Sequence, residues 1–395
     1  MNITTQFPRP KIDHITNAPA KSTCPNMRIL HLANHCRAGN GNVHVAIDLA
    51  CQQVETGHEV AFASGDGEYV NLLRDRGVHY RNLPHGRIGV ASNVRTLTQA
   101  LLFCREFKPD IIHAHMMAGA AIGAVCRLMC GAPLITTVHN SFDPHSILMR
   151  LGSRIVAVSA AERAALCARG FPETKVDVVL NGTKGSLRES ALTRDQDTVL
   201  IRPCVLTAAG LHQRKGIDVL IRAFSDAATT NPTWHLYIVG DGPERTSLQN
   251  LTLELGISDR VHFLGFRNQP QKLMQQADIF SLTSYAEPCS LVLCEARNAG
   301  CAIVATAVGG TPEILNSGAA GRLVPPGDVP QLSLALGELM RHRDKINKFR
   351  ASSARDSKFF CVERMTDDYG TVYNRALRSR ASARPNLTAS HTQQE

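Results

Sequence analysis

The chain has 395 residues, which fits two domains of ordinary size better than one. Hydrophobic residues make up 44% and charged residues 19%, as in globular proteins, and no apolar stretch reaches membrane-spanning length. The net charge of +9 is spread over both halves of the chain, and aromatic residues are 5%, so nucleic acid is not the predicted partner.

Both ends of the chain are polar. Residues 1–26 contain no apolar run of the secretory type, and we expect a disordered leader there and a disordered tail over residues 381–395. The twelve cysteines lie mostly in apolar runs, as buried thiols of a reducing compartment do, so a cytoplasmic location is expected. Cys126 and Cys130 form a C-x-x-x-C pair without a second pair of ligands nearby, and no metal site is predicted.

Residues 27–185 alternate short apolar runs with amphipathic helical stretches. The first run ends in a loop of glycine and asparagine, Gly39 to Asn42, before a helix that reaches Thr56. This alternation predicts an α/β domain of Rossmann type, with helices on both faces of a parallel sheet. The predicted strands are 28–33, 58–63, 111–112, 134–138, 155–158 and 176–180.

Within this domain, residues 81–108 combine basic side chains with an apolar helical face. A basic amphipathic helix suits docking on the anionic inner face of a membrane, so peripheral membrane contact is one interpretation. The other, which we favour, is an ordinary surface helix that packs its apolar face inward. The basic residues are Arg81, His85, Arg87, Arg95, Arg105 and Lys108, and the apolar residues are Val94, Leu97, Leu101, Leu102 and Phe103.

Residues 186–202 are polar and rich in turn formers, and we interpret them as a linker. A second α/β series fills residues 203–360, and residues 361–380 are predicted to form a helix that crosses back to the first domain. Two doubly wound domains in tandem predict a ligand cleft between the carboxyl ends of their strands. The predicted strands are 204–208, 235–239, 261–264, 279–282, 302–305 and 321–324, and helices are expected to begin near Gly216, Pro243, Leu291 and Asp328.

The segment from Glu287 to Glu295 carries the most chemical information. A turn leads into a helix whose first N–H groups, at Cys289, Ser290 and Leu291, can receive a phosphate. Glu287 can accept hydrogen bonds from sugar hydroxyls beside that phosphate, and Glu295, one turn inside the helix, can bind a vicinal diol such as a ribose. Without further context, the same spacing is a helix with glutamates near its positive end.

Neighbouring segments supply that context. Leu206 to Gly210 and Gln213 to Gly216 precede the segment, and Glu295 to Gly300 and Val308 to Glu313 follow it. This ordered set resembles family 4 of the retaining glycosyltransferases, which have the GT-B fold: two Rossmann-like doubly wound domains with an interdomain cleft. The resemblance covers residues 27 to about 368. The combination of motifs is specific, whereas each motif alone is not.

The resemblance implies roles for matching residues of the second domain. Lys215, with Gly216 allowing close approach, would neutralise the diphosphate leaving group, and neither a metal ion nor another cofactor is expected. Glu287 would bind the transferred sugar or stabilise the charge that develops at its anomeric carbon. Glu295 would bind the ribose hydroxyls of the donor, and the start of its helix would receive the diphosphate.

Further matches concern the walls of the cleft. His115 corresponds to the histidine that enters the cleft from the first domain. Gly39 and Gly41 lie in the glycine loop that closes over the donor or acceptor. Phe266 and Arg267 lie in the stretch whose backbone frames the base.

One position departs from the family pattern. The family places Gly-Arg six and five residues before the lysine, and that arginine also binds the diphosphate. Ala209 and Gly210 occupy those positions here. Arg214, directly before Lys215, could supply the missing charge, or its side chain could point to solvent.

The resemblance therefore implies a retaining transferase that moves a hexose from a UDP- or GDP-linked donor to a sugar or lipid-linked acceptor, in cell-envelope polysaccharide or lipopolysaccharide synthesis. A nucleotide-sugar epimerase of the same architecture and a non-catalytic nucleotide-sugar-binding protein stay open as alternatives. An NAD-dependent dehydrogenase fits the second domain poorly. The near-fingerprint that begins at Gly39 is also weak, because His44 stands where a dinucleotide site needs a small residue. Asp195 and Asp197, which mimic a metal-binding Asp-x-Asp, are interpreted as a solvated turn.

Overall fold

The computed structural model describes residues 26–83, 90–192, 195, 197–355 and 357–382, so the expected leader and tail lie almost entirely outside the described residues. Within the described residues, the first domain contains seven strands: β1 (Arg28–His35), β2 (Glu59–Gly65), β3 (His79–Asn82), β4 (Ile111–Ala114), β5 (Leu134–Val138), β6 (Arg154–Ala157) and β7 (Val176–Val178). They form one parallel sheet in the order β3-β2-β1-β4-β5-β6-β7.

In the part of the chain that the structure describes, the second domain repeats this plan with six parallel strands. They are β8 (Cys204–Ala208), β9 (His235–Val239), β10 (Val261–Gly265), β11 (Ile279–Leu282), β12 (Ala302–Thr306) and β13 (Arg322–Val324). Their order is β10-β9-β8-β11-β12-β13, so the strand order reverses between β8 and β11 as it does between β1 and β4. The prediction of two doubly wound domains is confirmed.

Helices cover both sheets. Because they shield both faces, central strands such as β4, β5 and β12 are buried along their whole length and read as continuous apolar runs. The first domain contains α1 (Gly41–Glu55), α2 (Val70–Asp75), α3 (Val90–Phe107), α4 (Met117–Cys130) and α5 (Ala160–Ala168). The second contains α6 (Ile217–Ala228), α7 (Arg245–Glu254), α8 (Pro270–Gln276), α9 (Leu291–Asn298), α10 (Thr311–Ile314), α11 (Val329–Arg341) and α12 (Arg343–Arg355), and α13 (Val362–Ser382) follows.

The chain crosses between the domains twice, and the two crossing segments lie side by side. Thr183 and Lys184 donate their N–H groups to the Phe360 carbonyl at 2.8 and 2.9 Å. The guanidinium of Arg364 donates to the Leu180 carbonyl at 2.8 Å. These bonds fix the point from which α13 returns to the first domain, where it packs against α1.

The segment 81–108 does not form one helix. Arg81 belongs to edge strand β3, where it pairs with Ala63, and α3 begins only at Val90. The guanidinium of Arg81 bonds Glu106 at 3.0 Å and lies over the Phe103 ring, so it serves to pack α3 on the strand. The basic residues His85 and Arg87 lie outside the described residues.

The apolar residues of α3 point in two directions. Phe103 is buried and Leu101 packs against the core, whereas Val94 and Leu102 are 58% and 61% exposed. The inward half fits an ordinary surface helix, and membrane contact through the outward half stays a prediction. None of the helices in the described part of the chain combines the length and apolarity that crossing a bilayer requires.

Part of the predicted linker is bound to the first domain rather than solvated. Arg188, in the short 3-10 helix Leu187–Ser190, is buried and bonds the Asp48 carboxylate of α1 at 2.9 Å. The Ser186 hydroxyl donates to the same carboxylate at 2.7 Å. A buried pair of this kind leaves a costly lone charge if either partner is removed.

The expectation of a solvated turn at Asp195 is also wrong. The Asp195 carboxylate accepts hydrogen bonds from the N–H groups of Asn268 and Gln269, at 3.0 and 2.8 Å. It therefore caps the loop before α8 in the second domain.

Candidate active site

Two loops at the carboxyl end of the second sheet carry the charged side chains singled out in the sequence. Arg214 and Lys215 lie in a 3-10 turn that follows β8, and Glu287 lies between β11 and α9. Strands β8 and β11 are neighbours at the point where the strand order reverses. Doubly wound sheets bind ligands at this point, because the loops diverge there and leave a crevice.

The three side chains form one ion cluster. The Lys215 ammonium donates to both Glu287 oxygens, at 2.8 and 3.1 Å, and Arg214 donates to Glu287 Oε2 at 3.3 Å and to the Ala286 carbonyl at 2.5 Å. The Glu287 and Lys215 side chains are 10% and 16% exposed, and that of Arg214 is 42% exposed. Arg214 thus points into the site and places a second cation beside Lys215.

Two glycines let these loops approach each other. Gly216, at φ +59°, has no room for a Cβ, which would overlap the Thr283 carbonyl oxygen. Gly309, at φ +47°, has even less room, because a Cβ there would overlap the carbonyl oxygen of Glu287. A side chain at either position would be strained by the positive φ and would displace the loop that holds Lys215 or Glu287.

Helix α9 begins directly after the ion cluster. The Ser290 hydroxyl caps it by accepting a hydrogen bond from the Leu293 N–H at 3.3 Å. Asn181 of the first domain donates to the Cys289 carbonyl at 3.2 Å. Glu295 lies one turn inside the helix and is 6% exposed. The start of α9 thus faces the cleft between the domains.

The glycine loop of the first domain contacts this wall of the cleft. A Cβ on Gly39 would lie 3.3 Å from the Phe266 ring, and one on Gly41 would lie 3.4 Å from the Leu291 side chain. Arg267, next to Phe266, has a buried Nε that makes no hydrogen bond to any described residue. The structure therefore brings the predicted donor-binding residues of both domains to the same cleft.

Four histidines lie together at the carboxyl end of the first sheet. His31 Nδ1 and His115 Nε2 are 2.9 Å apart, and His115 Nδ1 and His139 Nε2 are 3.3 Å apart. His113 contacts His115 through its ring, with centroids 4.1 Å apart, and bonds Thr137 and the Tyr373 hydroxyl of α13. We call His31, His113, His115 and His139 the histidine cluster.

The structure places His115 in the interior of the histidine cluster. Its side chain is buried, and both ring nitrogens are bonded to other histidines, so it does not project freely into the cleft. The half-buried member of the cluster is His139, which follows β5. The ligand atoms of His31, His113 and His115 lie within 4.8 Å of one another, close enough for a metal ion, but each nitrogen already has a hydrogen-bond partner.

Comparison with known proteins agrees with this architecture. The model of Glycosyltransferase Family 4 matches residues 39–184, and that of Glycosyl transferases group 1 matches residues 194–356. The D-inositol 3-phosphate glycosyltransferase of Corynebacterium jeikeium is 30% identical over 62% of this chain and 67% of its own length. The chain belongs to the family 4 (group 1) glycosyltransferases.

Other relatives of this glycosyltransferase extend the comparison. The lipopolysaccharide core biosynthesis glycosyltransferase LpsE of Rhizobium meliloti is 26% identical over 66% of this chain and 73% of its own length. The crystal structure of HepE from Anabaena, in complex with UDP and glucose, superposes with a TM-score of 0.75. It covers 89% of this chain and all of HepE, at 22% identity, and confirms the GT-B fold.

Sequence reasoning missed three residues that hold the cleft of the glycosyltransferase together. The Glu313 carboxylate caps α5 in the other domain, accepting hydrogen bonds from Ala160 and Ala161 N–H at 2.9 and 3.0 Å. Asn181 and Phe142 also bridge the domains, the latter through its ring 5.6 Å from the Arg214 guanidinium. Glu313 lies in a quoted motif, whereas the partners of Asn181 and Phe142 are distant in sequence and left no local signal.

We expect the free energy of unfolding of the enzyme to decrease as the pH is lowered below 6.5, because of the histidine cluster. Burial lowers the pKa of His31 and His139 from 6.5 to about 4. Below pH 6.5 the unfolded chain takes up protons that the folded chain does not, so stability is complete above pH 6.5 and is lost towards pH 4. Each such histidine contributes about 1.4 kcal/mol per pH unit in this window.

Urea unfolding at a series of pH values measures this slope. His139→Asn should flatten it by about one histidine's contribution, whereas His342→Gln, at an exposed position, should leave it unchanged. A free energy of unfolding that stays constant between pH 6.5 and 4 would contradict the assignment.

Proposed function

We propose that this glycosyltransferase moves a hexose from a UDP- or GDP-linked donor with retention of the anomeric configuration, and that it does so without a metal ion. The observation that carries the proposal is the convergence of Lys215 and Arg214 on Glu287 at the start of α9. Two cations beside a helix N-terminus suit a diphosphate, because both the charges and the N–H groups favour anionic oxygens.

The donor would lie along the start of α9. Lys215 and Arg214 would bind its diphosphate, and Glu295, one turn further along the helix, would bind the ribose hydroxyls. Phe266, 52% exposed at the rim, offers a ring face to the base, and the Nε of Arg267 offers a donor. The UDP and glucose in the HepE structure favour a uridine donor here.

The ion cluster suggests how the charges that develop on the diphosphate and on the anomeric carbon would be stabilised during transfer. Glu287 balances the two cations in this structure; with a donor bound, the diphosphate would share them, and Glu287 would accept hydrogen bonds from the sugar. The bond from the anomeric carbon to the diphosphate oxygen breaks while the acceptor oxygen approaches from the same face, and the acceptor proton passes to a phosphate oxygen. The cations would stabilise the leaving diphosphate, and Glu287 the positive anomeric carbon.

The acceptor would bind mainly to the first domain. His139, Asn140 and Phe142 follow β5 and are at least partly exposed, and the Phe142 ring lies against the Arg214 guanidinium. The two relatives named above differ in acceptor by their names, inositol phosphate in one and lipopolysaccharide core in the other. We favour a sugar or lipid-linked acceptor of cell-envelope polysaccharide or lipopolysaccharide synthesis, which the relationship to LpsE supports.

The position of Arg214 bears on the non-catalytic alternative. That alternative rested on Gly210 standing where the family has an arginine, and Arg214 supplies a cation to the same cluster. An epimerase would alter the donor without an acceptor, whereas a transferase releases nucleoside diphosphate in proportion to the acceptor added. Release that depends on an acceptor extract therefore separates the candidates.

Glutamine substitutions should distinguish the role of Glu295 in donor binding from the role of Glu287 in the transfer step. Glu295→Gln should weaken UDP binding about tenfold, because one charge-assisted hydrogen bond is lost. Glu287→Gln should bind UDP as tightly or more tightly, because it frees the two cations, yet should lower kcat about a hundredfold or more. Calorimetry with UDP and a turnover assay measure both, with exposed Glu254→Gln as the control. Equal effects of both variants on UDP affinity would contradict the assignment.

Alanine at Lys215 should lower kcat about a hundredfold to a thousandfold, as expected when charge stabilisation of the transition state is lost. It should also lower the melting temperature, because the buried Glu287 then keeps only the more exposed Arg214 as counter-charge, so kcat is measured well below the melting temperature of the variant. Arg214→Gln should have a smaller effect, because its side chain is more exposed. Lys272→Ala, an exposed lysine of α8, serves as the matched control. A wild-type rate in Lys215→Ala would remove the lysine from the reaction.

A panel of UDP- and GDP-linked sugars, screened by thermal shift, should show one donor that raises the melting temperature, because a ligand that binds the folded state stabilises it by mass action. The product made from that donor should have the donor's anomeric configuration by NMR. Inversion at the anomeric carbon would rule out the proposed mechanism while leaving the donor assignment intact.

A further inference from the structure

A cavity of about 550 Å³ opens on the first domain at the amino ends of its strands, the end of the sheet away from the cleft. Its lining includes Arg28 at the start of β1, Lys108 before β4, Cys130 at the end of α4 and Arg380 in α13. Four basic side chains face a single carboxylate, that of Asp110, which already accepts a hydrogen bond from the Arg28 N–H at 2.8 Å. The cavity is therefore electropositive.

Two thiols line this cavity, and a third lies behind them. Cys104 of α3 and Cys130 of α4 both face it, and these two helices pack against each other. Cys104 and Cys126 are buried, whereas Cys130 is partly exposed. The C-x-x-x-C pair noted in the sequence is thus joined by a third cysteine from the neighbouring helix.

We propose that Cys104 and Cys130 form a redox modification site, at which a two-electron oxidant such as hydrogen peroxide produces a disulfide that joins α3 to α4. Transient disulfides of this type are the form in which oxidation acts on proteins of reducing compartments. The transfer reaction proposed above uses the opposite end of the sheet, so the site is independent of it.

The two thiols are suited to different roles. Hydrogen bonding from Cys104, together with the N–H of Ala132 and the charge of Arg380, lowers the pKa of Cys130 to about 6 despite partial burial. The same hydrogen bonds, to Cys126 and Cys130, raise the pKa of Cys104, so that it keeps its proton. Cys130 is also the partly exposed thiol of the two and lines the cavity with Arg380, whereas Cys104 is buried, so Cys130 is the attacking thiolate and Cys104 the resolving thiol.

The reaction balances with peroxide alone. The Cys130 thiolate attacks one peroxide oxygen, the O–O bond breaks, and water leaves with the uptake of one proton, so that Cys130 becomes a sulfenic acid. The Cys104 sulfur then attacks the Cys130 sulfur, and the S–O bond breaks. The hydroxyl leaves with the Cys104 proton as a second water, and two electrons have passed from the thiols to the peroxide.

Three neighbouring thiols could instead bind a metal ion. Within the described ranges, the histidines His31, His113 and His115 form the only group of three ligating side chains whose ligand atoms all lie within 4.8 Å of one another. The three thiols therefore do not converge on one point, whereas Cys104 and Cys130 line the same cavity. This arrangement favours a pairwise bond between Cys104 and Cys130 over a three-thiol metal site.

Peptide mapping of the full-length enzyme after peroxide treatment and alkylation tests the proposal. We expect a peptide pair joined through Cys104 and Cys130, which dithiothreitol separates. Cys104→Ala should abolish this pair and let Cys130 proceed to sulfinic acid, whereas Cys167→Ser, at a partly exposed cysteine of α5, should keep it. The proposal would be overturned if Cys104 and Cys130 stayed reduced at peroxide concentrations that oxidise N-acetylcysteine. It would also be overturned if Cys130 formed its disulfide with a different cysteine.

The rate of alkylation by iodoacetamide gives a second test, which begins with the wild-type protein. Between pH 7 and 9 the rate at Cys130 should change less than about twofold, whereas that of N-acetylcysteine should rise about twentyfold. Cys104→Ala should restore the rise, and Cys104→Ser, whose hydroxyl can still donate, should keep the rate nearly flat. A wild-type rate that climbs in parallel with N-acetylcysteine would remove Cys130 as the attacking thiolate.

Discussion

The cleft depends on the place where the chain passes from one domain to the other and back. The hydrogen bonds from Thr183 to the Phe360 carbonyl and from Arg364 to the end of the first sheet join the two crossings into one connection. Because both crossings are fixed there, the carboxyl ends of the two sheets face each other. Glu313 and Asn181 extend the contact along the rim. The donor site proposed on the second domain and the acceptor site proposed on the first can therefore meet.

Electrostatic balance decides what this cleft can hold. Lys215 and Glu287 are each mostly buried, and a lone buried charge costs several kcal/mol, so each requires the other. Arg214 is more exposed and contacts Phe142 of the first domain, which places a second cation where the domains meet. A diphosphate entering this site would find its counter-charges already in position, with little reorganisation needed.

The fold and the charged part of the site could be predicted from the sequence because their signals are local. Buried parallel strands read as apolar runs, and Lys215, Glu287 and Glu295 lie in short motifs whose order is specific. The missed strand β3 lies at the sheet edge with mostly exposed side chains, so it carries no apolar run. Arg188 was assigned to a linker, because its buried partner Asp48 is far away in the sequence.

The histidine cluster and the thiol cavity could not be predicted from the sequence, because both depend on side chains of α13. Tyr373 bonds both His113 and Gln53, so the histidine cluster is satisfied only once this C-terminal helix has returned to the first domain. Arg380, two turns further along the helix, lines the thiol cavity at the opposite end of the same sheet. One helix thus begins at the interdomain connection, passes the histidine cluster and ends beside Cys130. A residue pattern within any one segment could not reveal this, because each partner comes from a different part of the chain.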